Sequence, residues 1–235
     1  NEGAKILEYI SSIAIDRNAL LYIDLRNSKK NLVDYARQKE IPTIVYDDVF
    51  EDGLFPNLLI NPTESCKNKY VEQEVNYMLG RKHIILDPRQ SKYRKDIFSP
   101  KILKLFVCFG GADPCNLTTR VIKLLLRTFH ELNLLVAIGP AYQQEEKLKK
   151  IINKYDLYNN VTIHKGKNFL APIMNQTDAA ITSGGTIMCE AIDICLPVLA
   201  LPSINHEVDV INSYRMGALA ESIPCDVNSI GNEEL

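Results

Sequence analysis

The stretch "AAITSGGTIMCEAIDICLPVLALP", Ala179 to Pro202, carries the pattern that decides the fold. Two short apolar runs flank a segment with helical periodicity, and the adjacent glycines Gly184 and Gly185 sit where the first run hands over to it. A short continuous apolar run is the mark of a strand buried on both faces, as in a parallel sheet whose faces are covered by helices. The glycine pair then has two explanations. It is either turn punctuation or a bare stretch of backbone that lets N–H groups approach an anion at a helix start.

The same alternation runs outward in both directions. Before the stretch come "KLFVCFGG" (104–111), a helix from Asn116 to His130, "NLLVAIG" (133–139), the helix "EEKLKKIINKY", "VTIH" (161–164), the short helix "FLAPIMNQ" and "DAAIT" (178–182). After it comes the helix "EVDVINSYRMG". A first series precedes these: an opening helix "NEGAKILEYISS", strands "ALLYID" (19–24), "TIVYDD" (43–48), "NLLIN" (57–61) and "KHIILDP" (82–88), and the helix "KKNLVDYARQKE". The charged, proline-interrupted "QSKYRKDIFSPKI" (90–102) reads as a linker between the series. The expected fold is α/β, with two Rossmann-like, doubly wound parallel sheets, one in residues 1–98 and one in 99–235. The first sheet is incomplete by this count, because it begins in the middle of a βα series, and "IPCDVNSIGNEEL" supplies no closing helix. The chain is therefore expected to be a fragment, or a reduced version, of a longer two-domain protein.

Composition excludes several functions. A net charge of -2 across 235 residues argues against a general nucleic-acid or anionic-membrane binder. The cluster "EEKLKKIINK" has charges at helical spacing and reads as a solvated face. Six cysteines form no CxxC pair, several lie inside apolar runs, and no secretory h-region is present, so a reducing cytoplasmic setting with free thiols is expected. No apolar run has the length of a membrane span. His83, His130 and His164 lack metal-ligand spacing, and no metal or cofactor is assigned. Neither a P-loop nor a G-x-G-x-x-G fingerprint occurs.

In an open α/β sheet, ligands lie outside the carboxyl ends of the strands. Two sequences there have suitable chemistry. In "FVCFGGADPCNLT" a strand runs into Gly110 and Gly111, and Asp113 precedes a helix, as either a polar participant in the chemistry or a turn and capping residue. In "ITSGGTIMCEA", Ser183 and Thr186 add hydroxyls beside Gly184 and Gly185, and Glu190 lies one turn beyond Thr186, where a carboxylate can accept two ribose hydroxyls. Downstream, His206 and Glu207 open the helix of "INHEVDVINSY".

Taken together, these three blocks resemble the C-terminal half of GT-B nucleotide-sugar enzymes such as the MurG glycosyltransferase. More closely they resemble the UDP-sugar hydrolase (PseG) of pseudaminic acid biosynthesis and the SpsG spore-coat polysaccharide family. "ALLYID", "EIPTIVYDD", "NLLINP" and "MLGRKHIILDP" are similar in order as well, so the likeness spans nearly the whole chain. It implies a UDP-sugar held in the cleft between domains, mostly on the second. Gly184, Gly185 and Thr186, with Ser183, would meet the diphosphate, Glu190 the ribose, and Phe169 with Leu170 the uracil. Gly110 and Gly111 would line the cleft near phosphates and sugar, and His206 and Glu207 would sit near the sugar.

The resemblance implies UDP release during nonulosonic acid or surface polysaccharide synthesis, by a hydrolase or by a glycosyltransferase of the same fold. The family's Gly-rich loop with its histidine would precede Asn1, and Arg26 and Asn27 stand where the hydrolase carries a tyrosine. The rival from another class is a non-catalytic UDP-sugar-binding domain paired with a sugar-activating partner enzyme.

Overall fold

Strand and helix alternate in the structure as the hydrophobic periodicity requires. It is a computed structural model that describes residues 2–12, 18–25, 29–46, 53–63, 75–155, 160–216 and 221–222. Arg26, Asn27, Cys66, Cys225 and the segment 223–235 lie outside the described residues. The chain divides into two compact units, Asn1–Ile85 and Leu86–Leu235.

The first unit contains α1 (Glu2–Ser12), β1 (Leu21–Asp24), α2 (Lys29–Gln38), β2 (Thr43–Tyr46), β3 (Leu58–Asn61) and β4 (Asn76–Leu79). Its strands pair in the order β1-β2-β3-β4, all parallel. Ile23, Val45 and Leu59 pack with Leu32 and Val33 of α2 and with Leu54 in one core. The fourth strand differs from the expectation. "KHIILDP" is no strand; Arg81–His83 is a single 3-10 turn, and "NYML" pairs with β3 instead. Asn76, Tyr77 and Met78 are exposed along this edge, so β4 lacks the apolar run that marks a buried strand. Gly80, at φ 99°, donates its N–H to Asn61 and turns the chain off the sheet before the isoleucines arrive.

The second unit opens with a 3-10 helix, Pro88–Tyr93. It continues with β5 (Lys104–Cys108), α3 (Leu117–Thr128), β6 (Asn133–Ile138), α4 (Glu145–Tyr155), β7 (Val161–Lys165), α5 (Ala171–Met174), β8 (Ala179–Thr182), α6 (Thr186–Asp193), β9 (Val198–Ala200), α7 (Asn205–Met216) and β10 (Glu221–Ser222). The six strands are parallel, in the order β7-β6-β5-β8-β9-β10. The chain winds from β5 to one edge, returns to the middle and winds to the other. The crevice where the direction reverses, between β5 and β8, is the place where this topology takes ligands.

The central strands explain the continuous apolar runs. All four residues of β8 are buried, as are Leu105 to Cys108 of β5. Leu105, Val107 and Phe109 join Leu117, Val121, Ile122 and Leu125 of α3 in one core. Phe106, Cys108 and Ala180, which alternate with them, are buried as well, so both faces of the sheet are covered.

The segment expected to link two domains belongs to the second unit from Leu86 onward. Lys95 donates its backbone N–H to Ile194 and its Nζ to Asn175, and Arg94 pairs with Asp193 at 2.7 Å. Such contacts are made by charged groups with backbone carbonyls, a pattern that leaves no hydrophobic periodicity to read.

At the carboxyl end of the sheet, β5 and β6 bring two loops together. A Cβ at Gly139 would lie 2.4 Å from the backbone of Gly111, and Ala141 donates to the Gly111 carbonyl. Gly139→Ala is therefore expected to lower stability by about 1–3 kcal/mol, the range for overpacking a close contact. Urea unfolding checks this; an unchanged midpoint would mean that the two backbones separate freely.

Candidate functional site

β5 and β8 are paired with Cys108 opposite Thr182, so the loops that follow them emerge side by side. Ser183 continues the ladder by donating its N–H to the Cys108 carbonyl. Gly110, at φ 79°, presents a bare Cα toward Ser183, and a Cβ there would lie 3.9 Å from the Ser183 Oγ. A third loop, after β9, is tied to the first through the Cys115 thiol and the Ser203 carbonyl. Gly110, Ser183, Gly184, Gly185 and Glu207 are thus brought together at the switch point.

The two glycines of the opening stretch have separate roles. A Cβ on Gly184 would meet Ile211 at 2.7 Å and the Glu207 Cβ at 2.9 Å, so this position is bare because α7 packs directly on it. Gly185 has extended backbone, and a Cβ there would make only ordinary contact, 3.4 Å from the Glu207 Oε1. Gly184 answers to packing, whereas Gly185 has room for a Cβ at the start of α6.

The two helix starts at this crevice differ electrostatically. At α3, Asp113 is buried and its two carboxylate oxygens accept the N–H groups of Leu117 and Thr118, each at 2.8 Å. Burial raises its pKa, and these hydrogen bonds oppose the rise. Asp113 is accordingly the capping residue of the two alternatives. Its oxygens accept from the first N–H groups of the helix, as the capping alternative requires. At α6 no side chain caps the helix. Among the described residues, no acceptor engages the backbone N–H groups of Gly184, Gly185, Thr186 or Ile187. Exposed Thr186 adds a hydroxyl there. This is the orphan donor set of a helix start, carrying its partial positive charge, with nothing from the described residues to satisfy it.

Glu207, expected near a sugar, is buried, and its Oε2 accepts from the N–H and hydroxyl of Ser203, leaving Oε1 on the Gly185 side. His206 is half-buried beside it, and its Nδ1 is buried with no hydrogen-bond partner. Glu190 is half-buried one turn into α6. Burial, and then the nearby Asp87 charge, raise its pKa, and among the described residues nothing pairs with its carboxylate. At Cys108 and Cys189 the thiolate is disfavoured, because burial pushes both up to about 11.

Phe169 and Leu170 lead into α5, and here the sequence reading missed the neighbours. The Arg89 guanidinium stacks 4.4 Å from the Phe169 ring centroid, and Tyr93 meets the same ring edge-on at 5.8 Å. Asp87 holds Arg89 in a fork and is itself held at about 2, well below the usual carboxylate range, chiefly by that hydrogen bond. The only sequence signal was the Asp-Pro pair opening a helix at residue 87, hidden at the end of what looked like the strand "KHIILDP".

No protein-family model matches the chain. An uncharacterized protein of Methanocaldococcus jannaschii is 32% identical over 145 residues, covering 59% of this chain and 30% of that protein. The spore coat polysaccharide biosynthesis protein SpsG of Bacillus subtilis is 26% identical over 180 residues, 75% of this chain and 50% of its own length. The chain thus spans half or less of these curated relatives. Among solved structures, Acinetobacter baumannii MurG superposes with a TM-score of 0.61 at 13% identity, covering 97% of this chain and 65% of MurG. The pneumococcal O-GlcNAc transferase GtfA, solved with UDP and GlcNAc, superposes at 0.55 with 14% identity, covering 93% of this chain and 54% of its own. The fold is that of the GT-B glycosyltransferases, an α/β arrangement with two parallel sheets.

Glu190 carries a testable consequence of its burial. A carboxyl whose folded pKa is raised gives its full stability below the ordinary Glu value, and that stability declines as pH rises through the folded pKa. Glu190→Gln is expected to stabilise the protein at neutral pH and to remove part of this decline. Unfolding midpoints across the acid-to-neutral range read it; identical pH profiles would show that the carboxylate is not desolvated.

Proposed function

We propose that the second unit binds the diphosphate of a nucleoside-diphosphate sugar at the β5–β8 switch point. The whole protein is then a nucleotide-sugar enzyme of surface polysaccharide or nonulosonic acid synthesis that releases UDP. The observation that carries this is the contrast between the two helix starts: α3 is capped by Asp113, whereas α6 leaves its donors open beside Gly185. An open helix start at a topological switch point suits a phosphate. Similarity to SpsG, a spore coat polysaccharide biosynthesis protein, supports the pathway class. The UDP in the GtfA structure supports the nucleotide.

The diphosphate would lie against the N–H groups of Gly185 and Thr186, with the Ser183 and Thr186 hydroxyls beside it. Glu190, partly desolvated and unpaired among the described residues, is suited to accept the two ribose hydroxyls. Phe169, stiffened by Arg89 and Tyr93, is suited to border the uracil. Glu207 would repel a phosphate, so its Oε1 fits a sugar hydroxyl, and His206 stands next to it.

In the hydrolase, a water oxygen attacks the anomeric carbon, the bond from that carbon to the diphosphate oxygen breaks, and UDP leaves with the electron pair. The water proton passes to a base. The charge that develops on the leaving oxygen is met by preorganised backbone donors, the kind of stabilisation that works without reorganisation. The geometry supports no base among the described residues of this unit. A transferase is the second reading, favoured by the shape likeness to MurG and GtfA; an acceptor hydroxyl then replaces water at the same carbon.

Calorimetric titration with UDP tests the site. Gly185→Val is expected to weaken UDP binding at least about tenfold, or about 1.4 kcal/mol, while the thermal midpoint stays close to that of the parent. Parallel loss of folding and binding would return Gly185 to the role of a simple turn, and absence of UDP binding in the parent would sink the nucleotide-sugar assignment. UDP release from UDP-sugars in water alone, against release only with an acceptor, separates hydrolase from transferase.

A further inference from the structure

The 3-10 helix that opens the second unit holds one long side chain in a single plane. Asp87 caps this helix by accepting the Arg89 N–H, and its carboxylate also receives the Arg89 side chain as a fork. Nε donates to the two carboxylate oxygens at 3.0 and 3.1 Å, and Nη2 donates to Oδ2 at 2.6 Å. The fork fixes the guanidinium plane, and the same guanidinium lies over the half-buried Phe169 ring, 4.4 Å from its centroid. Tyr93, at the far end of the helix, meets that ring edge-on at 5.8 Å.

Stability alone gives little reason for this arrangement. The Arg89 side chain is 62% exposed, and an ion pair in water contributes little once the entropy of holding a long side chain still is counted. Such order is useful to a ligand, because a group already fixed in its bound position loses less freedom on binding. Asp87 occupies Nε and Nη2, and among the described residues Nη1 meets no acceptor. What remains available is a flat cation, backed by an aromatic ring, with most of its surface open to solvent.

The surroundings place this platform beside the residues suited to a nucleotide. The 3-10 helix packs against α5 and α6. Phe169 lies in the loop that leaves the carboxyl end of β7, the same end of the sheet as the open start of α6. Asp87 is close enough to Glu190 for its charge to raise the pKa of that carboxyl, so the fork borders the group suited to the ribose hydroxyls. A planar guanidinium stacks on π systems, and every base has a π face to offer it. Arg89 already covers one face of the Phe169 ring, so the guanidinium is the outer layer of this stack.

We propose that the base of the nucleoside diphosphate stacks on the outer face of the Arg89 guanidinium, which Phe169 backs and Asp87 holds in plane. Arg89 is then the residue that contacts the base, and Asp87 is a positioning residue that acts through it. This rests on the reading of the second unit as a nucleotide site and refines its base subsite. The rival role for Arg89 is simple charge attraction to the diphosphate, which a lysine would serve as well.

Calorimetric titration of the full chain with UDP and, separately, with inorganic pyrophosphate tests this. Arg89→Ala and Arg89→Lys are each expected to weaken UDP binding about tenfold, because lysine keeps the charge and loses the plane. Pyrophosphate, which has no base, should bind both variants as it binds the parent. Asp87→Asn, in which asparagine still caps the helix, should weaken UDP binding about threefold by loosening the fork, with pyrophosphate again unaffected. Thermal midpoints should stay near that of the parent, because the fork is exposed. The proposal is overturned, and the nucleotide site left standing, if Arg89→Lys binds UDP like the parent, if Arg89→Ala binds it equally or more tightly, or if pyrophosphate shares the loss. A parent that binds neither UDP nor pyrophosphate removes the site itself, and this proposal with it.

Discussion

The parallel pairing of β5 with β8 is the constraint on which the second unit depends. These strands are far apart in sequence and adjacent in space, and their register sets Cys108 beside Thr182. Because side chains alternate along a strand, slipping this pair by one residue would turn Leu105, Val107 and Ile181 out of the core they share with α3. The register that keeps them buried also fixes the height at which the two glycine loops leave the sheet. Hydrophobic packing on one face and loop placement at one end are therefore a single decision.

From that pairing follow the close approaches at the carboxyl end. Gly139 is bare because Gly111 lies against it, and Gly184 is bare because Ile211 and Glu207 do. Gly185 has no such neighbour. The sequence shows three glycines of equal standing, but packing requires two of them and leaves the third facing the uncapped α6. The carboxylates divide in the same way. Asp113 and Glu207 anchor helix starts, whereas Glu190 is held partly out of water with no partner among the described residues, an arrangement that stability alone does not favour.

Much of the second unit was legible in its residues. The runs "KLFVC", "NLLVAI" and "AAIT" are apolar because both faces of their sheet are covered, and "EEKLKKIINKY" is α4 over its full length. The glycine loops were recognisable as strand-to-helix turns at the carboxyl end of the sheet. The first unit was less legible at its edge. β4 is exposed on Asn76, Tyr77 and Met78, so it carries no burial signal, and the isoleucines after Gly80 imitated a strand that the chain does not form. The segment after Leu86 was misread for a related reason. Asp87, Arg89, Lys95 and Asp193 act through forks and backbone acceptors, which have no periodicity.

The sequence by itself determined the α/β class, the alternation of elements and the candidate helix starts, because burial on two faces and helical amphipathicity are local patterns. Only the tertiary structure decided that Asp113 closes one helix start and that no described side chain closes the other, that Arg89 and Tyr93 stack on Phe169, and that the hydrophobes of 97–103 remain exposed. Each of these depends on which groups meet across many residues of chain. Whether a polar or apolar group is satisfied is a property of its neighbours, and a single sequence does not state its neighbours.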